Sequence, residues 1–465
     1  MRKEQRFAGM IMKKQDEFTG KLLRIVLPIA FQQLMLALVS ASDALMLGAL
    51  TQDALSAVSL ASQITFVQNL FLAAMTIGLS MFAAQYWGKK DMDSVEKIFA
   101  YVIKITCAVS LVFTIAALCF PAVLMQIFTS DPVLIGKGAV YLRAVSASYF
   151  LTGVSQIYLS VLKNTGHAGK SSLISSASVV INIALNSLLI FGLLGFPKLE
   201  IAGAAIATVI ARIIEVVWCV IESDRKGSAK LHGGNLFHTE EFLRASFWKH
   251  TFPVLGNETV WGIGFTMYSV IMGHLGNDAV AANAIANIVK NLISCFCLGL
   301  GSGGGIIVGH ELGAGKIQEA KDYGSRLCRL SVLTGVVSGG IILALIPLIC
   351  SVSSLTEQAN QYLIWMLVIC SYYIIGKSIN FTTIAGIFCA GGDSKFGFLC
   401  DTITMWCVTV PLGFLAAFVF RLPVIAVYFV ISLDEIVKLP AVYKNYKKYK
   451  WVKDLTRREE PECQV

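Results

Sequence analysis

Two long apolar stretches of this chain repeat each other at a constant offset, without a gap. The identical pairs are Pro28 and Pro253, Gly48 and Gly273, Asp53 and Asp278, Ala54 and Ala279, Ala57 and Ala282, Gly78 and Gly303, and Gly88 and Gly313. Similar sequences fold into similar units, so a duplication of this length predicts two pseudo-symmetric halves. In membrane-type sequence this architecture is typical of transporters, whose halves move around a shared central site.

Composition assigns the chain to the membrane. Hydrophobic residues make up 56% of it, charged residues make up 14%, and the mean hydropathy is +0.69. A soluble domain carries about 25% charged residues. The net charge of +9 does not indicate nucleic-acid binding, because the basic residues occupy short loops and the two ends. The twelve Cys residues are scattered, many within apolar runs, which indicates reduced thiols and no disulfide framework.

The energy source is predicted to be an ion gradient. The sequence contains no metal-ligand spacing and no nucleotide-binding loop, so we expect no cofactor. It also contains no constellation of catalytic residues, and we expect the protein not to be an enzyme.

Twelve membrane spans are predicted, six in each half, which makes the fold class an all-α polytopic membrane protein. A spanning helix needs about 20 mostly apolar residues. The stretches that meet this requirement are 22–48, 56–84, 98–120, 139–162, 172–194, 201–221, 251–275, 279–308, 325–350, 362–388, 398–419 and 423–442. The loop between spans 6 and 7 is the longest and most polar, and it forms the boundary between the halves.

The chain is thus divided into a leader (1–21), a first half (22–221), a linker (222–250), a second half (251–442) and a tail (443–465). Lys and Arg, among them Lys163, concentrate in the leader, the tail and the loops on their side. The opposite loops hold only Lys137, Lys198 and Arg421. Cytoplasmic loops carry an excess of these residues, so both termini are predicted to be cytoplasmic, with the protein in the plasma (inner) membrane.

Polar residues inside the spans of the first half form a candidate cation site. Asp43 lies in the outer half of span 1, Asn182 and Asn186 share one face of span 5, and Thr208 is in span 6. A charge at the bilayer centre is costly and therefore suggests a function. Counted from the outer ends of their spans, Asp43, Asn186 and Thr208 lie at a broadly similar depth. A carboxylate, two amides and a hydroxyl suit a hard cation or a proton. For the amides, simple bonding between helices stays open as an alternative.

The second half differs, because Tyr268 stands at the position that repeats Asp43. Glu258 lies in the inner half of span 7, Lys377 lies at a similar depth in span 10, and Lys290 is in the middle of span 8. A buried acid and a buried base neutralise each other most cheaply. We therefore expect Glu258 to pair with Lys377, or alternatively with Lys290, while a role in ion coupling or substrate binding stays open. Further charged residues are expected to tie helix ends together, and they are Arg212, Glu215, Asp434, Glu435 and Lys438.

Three segments resemble the multidrug and toxic compound extrusion (MATE) transporters of bacterial type, and the resemblance covers nearly the whole chain. Residues 27–50 (LPIAFQQLMLALVSASDALMLGAL) resemble the first helix of that family with its membrane aspartate. Residues 164–212, from NTGHAGKSS to ATVIAR, are similar to its run from span 4 to span 6. Residues 386–401 (GIFCAGGDSKFGFLCD) resemble the corresponding motif of its second half.

This resemblance implies two six-helix lobes in a V around a cavity that alternates its opening. It also implies export of organic, often cationic, compounds in exchange for Na⁺ or H⁺. Carried over by motif, the cation site falls on Asp43, Asn182, Asn186, Thr208 and the carbonyl of Ala204, and Glu258 matches the acid of the seventh helix.

Three positions depart from the family pattern. Asn186 stands where the family often has Asp, Lys377 lies near the place of an Asp in span 10, and Cys389 replaces a usual Arg. A first-half site with a single carboxylate favours H⁺ slightly over Na⁺. The presence of Lys377 argues against an Na⁺ site in the second half, and whether that half binds a cation stays open.

The partners that we expect are small organic, often cationic, substrates and membrane lipid, with no nucleic acid, and the protein is expected to be a monomer. Two other classes compete with a cation-coupled exporter. A flippase for lipid-linked saccharides, from the same superfamily, would line its cavity with several basic residues, whereas few charges lie in the middle of these spans. A polytopic membrane enzyme would need a catalytic constellation.

Overall fold

The computed structural model of the protein describes residues 2–225, 227–237, 240–353 and 355–457, and the regular elements within these ranges are all helices. The first half contains six long helices, α1 (Arg2–Gly48), α2 (Gln52–Gly88), α3 (Met92–Cys119), α4 (Pro132–Asn164), α5 (Ala168–Phe191) and α6 (Glu200–Ser223). A short helix, Pro121–Gln126, precedes α4. Helix α1 includes residues 2–21 of the predicted leader, so this part of the leader and the first span form one continuous helix.

The second half repeats this order. Its helices are α7 (Glu241–Gly273), α8 (Asn277–Gly313), α9 (Ile317–Val352), α10 (Glu357–Phe388), α11 (Ser394–Val419) and α12, which consists of Val424–Ile431, Asp434–Val437 and Leu439–Lys447. The predicted linker (222–250) contains a short helix, Gly233–Phe237, and the start of α7. Residues 226, 238 and 239 of the linker and 458–465 of the tail lie outside the described residues.

Twelve helical segments correspond to the twelve predicted spans, which confirms the predicted fold class. Within the described ranges, ten helices are long and apolar enough to cross a membrane, namely α1 to α6 and α8 to α11. Helix α7 has 33 residues, which is ample for a bilayer, but its composition is more polar. Helix α12 is interrupted, and Pro440 in the first turn of its last segment cannot donate a backbone hydrogen bond.

Repeat-related glycines bring the halves together on the side of the membrane that holds the termini. A Cβ on Gly88, at the end of α2, would lie 2.0 Å from the carbonyl oxygen of His310, and one on Gly313, at the end of α8, would lie 1.9 Å from that of Gln85. Gln85 and His310 occupy repeat-related positions themselves, as Gly88 and Gly313 do. The internal symmetry of the chain therefore relates the two contacts, and each requires the absence of a side chain.

The same symmetry extends deeper into the membrane. Gly78 of α2 packs against the side chain of Thr251 in α7, and Gly303 of α8 packs against Val26 in α1. Val26 and Thr251 are again at repeat-related positions. The inner parts of α1, α2, α7 and α8 thus form one symmetric seam between the halves, which is the closed end of the predicted V.

The C-terminal segment crosses this seam. The side-chain amide of Gln85 donates to the carbonyl oxygens of Ala390 (2.7 Å) and Lys453 (3.0 Å), and its oxygen accepts from the backbone N–H of Leu455 (2.7 Å). Trp451 in the same segment is completely buried. The chain beyond α12 therefore ties the first half to the second half at the terminus side.

Candidate functional site

A cavity of about 980 Å³ lies between the two halves. Its wall consists of residues from α1, α2, α4 and α6 in the first half and from α7, α8 and α10 in the second half. Ser80 and Ala390 line the cavity next to the seam, because Ala390 accepts a hydrogen bond from Gln85, and Ser80 accepts one from Asn164, whose carbonyl oxygen contacts His310. The contacts of Gln85 and Gly88 come after Ser80 along α2, so the symmetric seam separates the cavity from the terminus side.

The five residues of the predicted cation site form one hydrogen-bonded chain in the first half. The amide of Asn186 donates to Asp43 Oδ1 (2.6 Å) and to Asn182 Oδ1 (3.2 Å). The amide of Asn182 donates to Thr208 Oγ1 (3.3 Å), whose hydroxyl donates to the carbonyl oxygen of Ala204 (2.9 Å). Three helices contribute, α1, α5 and α6, and the structure brings together every residue that the sequence proposed for this site.

The hydrogen-bonded residues are well placed to receive an ion from the cavity. Asp43, Thr208 and Ala204 line the cavity wall, while Asn182 and Asn186 lie behind them and are buried. The side-chain oxygen of Asn186 is buried and accepts no hydrogen bond within the described part of the chain. An unused buried oxygen beside a carboxylate fits a cation ligand, because leaving such an acceptor unsatisfied costs free energy.

These groups can hold either a proton or a hard monovalent cation. A carboxylate, two amide oxygens, a hydroxyl and a backbone carbonyl are oxygen donors, which suit hard cations. The same carboxylate can accept a proton, and the amide of Asn186 then remains as its neighbour. The first-half site therefore has the chemistry that the coupling ion of an exchanger needs.

The expected ion pair between Glu258 and Lys377 is not formed. Among the described residues, the ammonium nitrogens of Lys377 and Lys290 are both more than 4.0 Å from the carboxylate oxygens of Glu258. Glu258 lines the central cavity, whereas Lys377 lies within electrostatic range of Lys290, Glu435 and Asp434 inside the second half. The expectation was wrong because depth along the membrane normal does not specify the direction in which a side chain points around its helix.

Lys290 also has other neighbours than those expected. Its ammonium lies over the ring of Tyr373, 5.0 Å from the centroid, and 5.9 Å from the ring centre of Phe265. Aromatic faces attract cations at such distances. Lys290 therefore packs within the second half and does not neutralise Glu258.

Two basic residues of the first half were not expected at the cavity. Lys163, which the sequence assigned to a cytoplasmic loop, is in the last turn of α4 and lines the cavity. Arg212 also lines the cavity and forms an ion pair with Glu215. The spacing of Arg212, four residues after Thr208, indicates a shared helix face and could have revealed it. The position of Lys163 depended on the true end of α4, which hydropathy alone does not define.

Two pseudo-symmetric six-helix lobes around a polar central cavity define a polytopic membrane transporter. The family model MatE matches residues 28–188 and 254–415 of the chain, one match in each half. The chain therefore belongs to the MatE family, the multidrug and toxic compound extrusion transporters, and the resemblance seen in the sequence is confirmed.

Individual relatives agree with this assignment. The uncharacterized transporter YisQ of Bacillus subtilis (strain 168) is 22% identical over 453 residues, covering 97% of this chain and 99% of the relative. The probable multidrug resistance protein NorM of Burkholderia mallei is 26% identical over 423 residues, covering 85% of each chain. A mutant of the Vibrio cholerae MATE transporter VcmN superposes with a TM-score of 0.86 at 16% identity, covering 95% of this chain and 99% of that one.

Proposed function

We propose that this transporter is a secondary active antiporter, which exports organic, often cationic, compounds in exchange for H⁺ or Na⁺. The observation that carries the proposal is the hydrogen-bonded chain from Asp43 to Ala204, which lies on the wall of the central cavity. Ion ligands and substrate cavity are therefore contiguous in one space. This proximity supports antiport, because occupation of one site can then alter occupation of the other.

Glu258 is the proposed counter-charge for a cationic substrate. It lines the cavity from the second half, and no lysine neutralises it at short range in the described part of the chain. The cavity of about 980 Å³ has room for a drug-sized molecule. A carboxylate in such a wall attracts organic cations over neutral compounds of similar size.

The symmetric seam supports transport by alternating access. The seam around Gly88 and Gly313 closes the cavity toward the termini. With both termini in the cytoplasm, as the distribution of Lys and Arg favours, this conformation is the one that is closed to the cytoplasm. Export then requires that the seam opens to admit substrate and closes again before release, in the plasma (inner) membrane.

The coupling ion is proposed to be H⁺ rather than Na⁺, by a small margin. The site has one carboxylate, Asp43, and its remaining donors are neutral. One proton neutralises this carboxylate completely without further ligands, whereas Na⁺ must also draw on the amide oxygens and the hydroxyl. Both ions remain compatible with the donor set.

Movement of a lipid-linked saccharide is the alternative function. It would require basic residues that hold a pyrophosphate in the cavity. The basic residues of the described wall are Lys163 and Arg212, and Arg212 already forms an ion pair with Glu215. This arrangement favours the exporter.

Transport by purified full-length protein in liposomes tests the proposal. A cationic dye such as ethidium is followed under a Na⁺ gradient and, in separate vesicles, under a pH gradient. We expect at least one gradient to drive dye movement, and Glu258→Gln to raise the dye concentration needed for half-maximal transport. Absence of dye movement under either gradient, together with translocation of a labelled lipid-linked saccharide, would replace the exporter with the flippase.

A further inference from the structure

Four charged side chains of the first half form a row at the central cavity, in which Asp43, Arg212 and Lys163 line the cavity and Glu215 is buried against Arg212. Asp43 is in α1, Arg212 and Glu215 are in α6, and Lys163 is in α4. Arg212 forms an ion pair with Glu215 and is also within electrostatic range of Asp43. Lys163 is within electrostatic range of Glu215. The signs alternate along this row, and its two acids and two bases balance before any ion binds.

We propose that Arg212 is a tethered counter-ion, which competes with the coupling ion for Asp43. In this scheme the guanidinium moves toward Asp43 when the coupling ion leaves and returns to Glu215 when the ion binds. The inference rests on the proposed function, because it assumes that Asp43 holds the coupling ion.

The position of Arg212 on α6 allows this movement. It is four residues after Thr208, which places it one helical turn away on the same face as the cation site. Its side chain is 19% exposed and lines the cavity, so the guanidinium has free space beside it. Among the described residues, Arg212 forms no ion pair within 4.0 Å with Asp43. The structure therefore represents the state in which Arg212 is paired with Glu215.

Glu215 would not be left without a cation when Arg212 moves. Its side chain is fully buried, and a buried carboxylate without a partner is strongly unfavourable. Its second oxygen, Oε1, accepts no hydrogen bond within the described residues. Lys163, which is nearby and lines the same cavity, can take this place. The row therefore contains a replacement for each contact that the movement breaks.

This exchange would connect ion binding to substrate release. Without the coupling ion the row is neutral and tolerates a cationic substrate in the cavity. With the ion bound at Asp43 the row carries one extra positive charge, which repels a cationic substrate across the low-dielectric cavity. The ion and the substrate thus exclude each other without direct contact.

Cation binding by the purified full-length protein tests the role of Arg212. Ligands that bind the folded state raise the unfolding temperature, so titrations with Na⁺ and, separately, with H⁺ report half-saturating concentrations. For the coupling ion, Arg212→Gln is expected to lower this concentration about fivefold or more, because a competitor is lost. Glu215→Gln is expected to raise it, because Arg212 then has only Asp43 as its acid.

The opposite signs of the two shifts distinguish a competitor from a structural residue, whose loss would weaken cation binding in both variants. Arg225→Gln is the matched control, since Arg225 pairs with Glu222 three residues earlier and is not part of the cavity wall. It should leave the titration unchanged.

The test also separates this inference from the proposed function. If the wild-type protein and Asp43→Asn show the same response to both ions, the proposed coupling site itself is wrong. If the wild type responds and Asp43→Asn does not, an unchanged or higher half-saturating concentration in Arg212→Gln overturns the role of Arg212 alone. Should Arg212→Gln fail to fold, a lower or unchanged value in Glu215→Gln has the same consequence.

Discussion

In the first half Asp43 is surrounded by neutral ligands, whereas Tyr268 stands at the repeat-related position of the second half. Two buried acids of the second half, Asp401 and Glu435, already have a lysine partner, whereas Glu258 lines the cavity without one in the described part of the chain. Lys438 bridges Asp401 (2.9 Å) and Glu435 (3.2 Å), and these three side chains are at most 9% exposed.

The two halves therefore share a backbone frame but use charge differently. The amide of Asn380 completes the second-half network by donating to Glu435 (2.7 Å). A carboxylate that a resident ammonium neutralises has little affinity left for a mobile cation. The comparison teaches that duplication of the helices did not duplicate the polar cluster around Asp43, and this is why we propose that ion coupling belongs to the first half.

The difference between the two halves is tested most directly at the repeat-related pair Asp43 and Tyr268. Asp43→Asn keeps the shape of the side chain and removes its charge, so gradient-driven dye transport is expected to fall to background. Tyr268→Phe, the matched change in the other half, is expected to retain transport. Both are measured in liposomes at equal protein content. Transport by Asp43→Asn at the wild-type rate would contradict the assignment of coupling to the first half.

A second prediction concerns stability. Removal of a charge should lower the unfolding temperature more in the second half than in the first half. Lys438→Met leaves Asp401 and Glu435 buried without their cation, which typically costs about 3–5 kcal/mol. We expect a clear drop in the unfolding temperature of the detergent-solubilised protein. Asp43→Asn, which removes a charge from the cavity wall, should change this temperature much less. Equal losses in both variants would mean that the two halves use charge alike.

Substitution of the neutral residues around Asp43 should affect transport less than substitution of Asp43 itself. Asn186→Ala removes the hydrogen bond to Asp43, and hydrogen bonds to charged groups contribute about 1.5–3 kcal/mol. If Na⁺ is the coupling ion, its concentration for half-maximal transport should then rise about 10- to 100-fold, with a lesser rise for Thr208→Ala. If H⁺ is the coupling ion, the concentration should instead fall in Asn186→Ala, because the lost hydrogen bond stabilised the ionised carboxylate. Protein yield should stay near that of the wild type. An unchanged ion response in both variants would return these residues to a packing role.

The smallest effect is expected at the seam, where the two halves should behave alike. A Cβ at Gly88 or Gly313 meets a carbonyl oxygen of the opposite half, and overpacking of this kind costs about 1–3 kcal/mol. Gly88→Ala and Gly313→Ala should therefore both favour opening toward the termini, and to similar degrees.

Labelling of an introduced cysteine measures this opening. Ser80→Cys in a cysteine-free background places a thiol on the cavity wall near the seam. An impermeant reagent applied from the terminus side should react faster in both glycine variants. Gly169→Ala is the control, because a Cβ there meets nothing within 4 Å. A response to only one of the two seam variants would show that the seam is not functionally symmetric.

Side-chain direction explains where sequence reasoning about this protein succeeded and where it failed. Asn182 and Asn186 are four residues apart on one helix, so their shared face was predictable, and the structure joins them to Asp43. Glu258 and Lys377 are on different helices, and their equal depth did not reveal that one faces the cavity and the other the interior of the second half.

The sequence by itself determined the membrane class, the two-fold repeat, the twelve helical segments and the residue types of the proposed cation site. These depend on hydropathy, helical spacing and the constant offset of the repeat, all of which are local or periodic properties. Only the tertiary structure decided which charges meet. It placed Arg212 and Lys163 at the cavity, separated Glu258 from the lysines, and brought Gly88 against His310. Such contacts depend on how each helix is rotated about its axis and on which helices become neighbours, and packing of the whole bundle sets both.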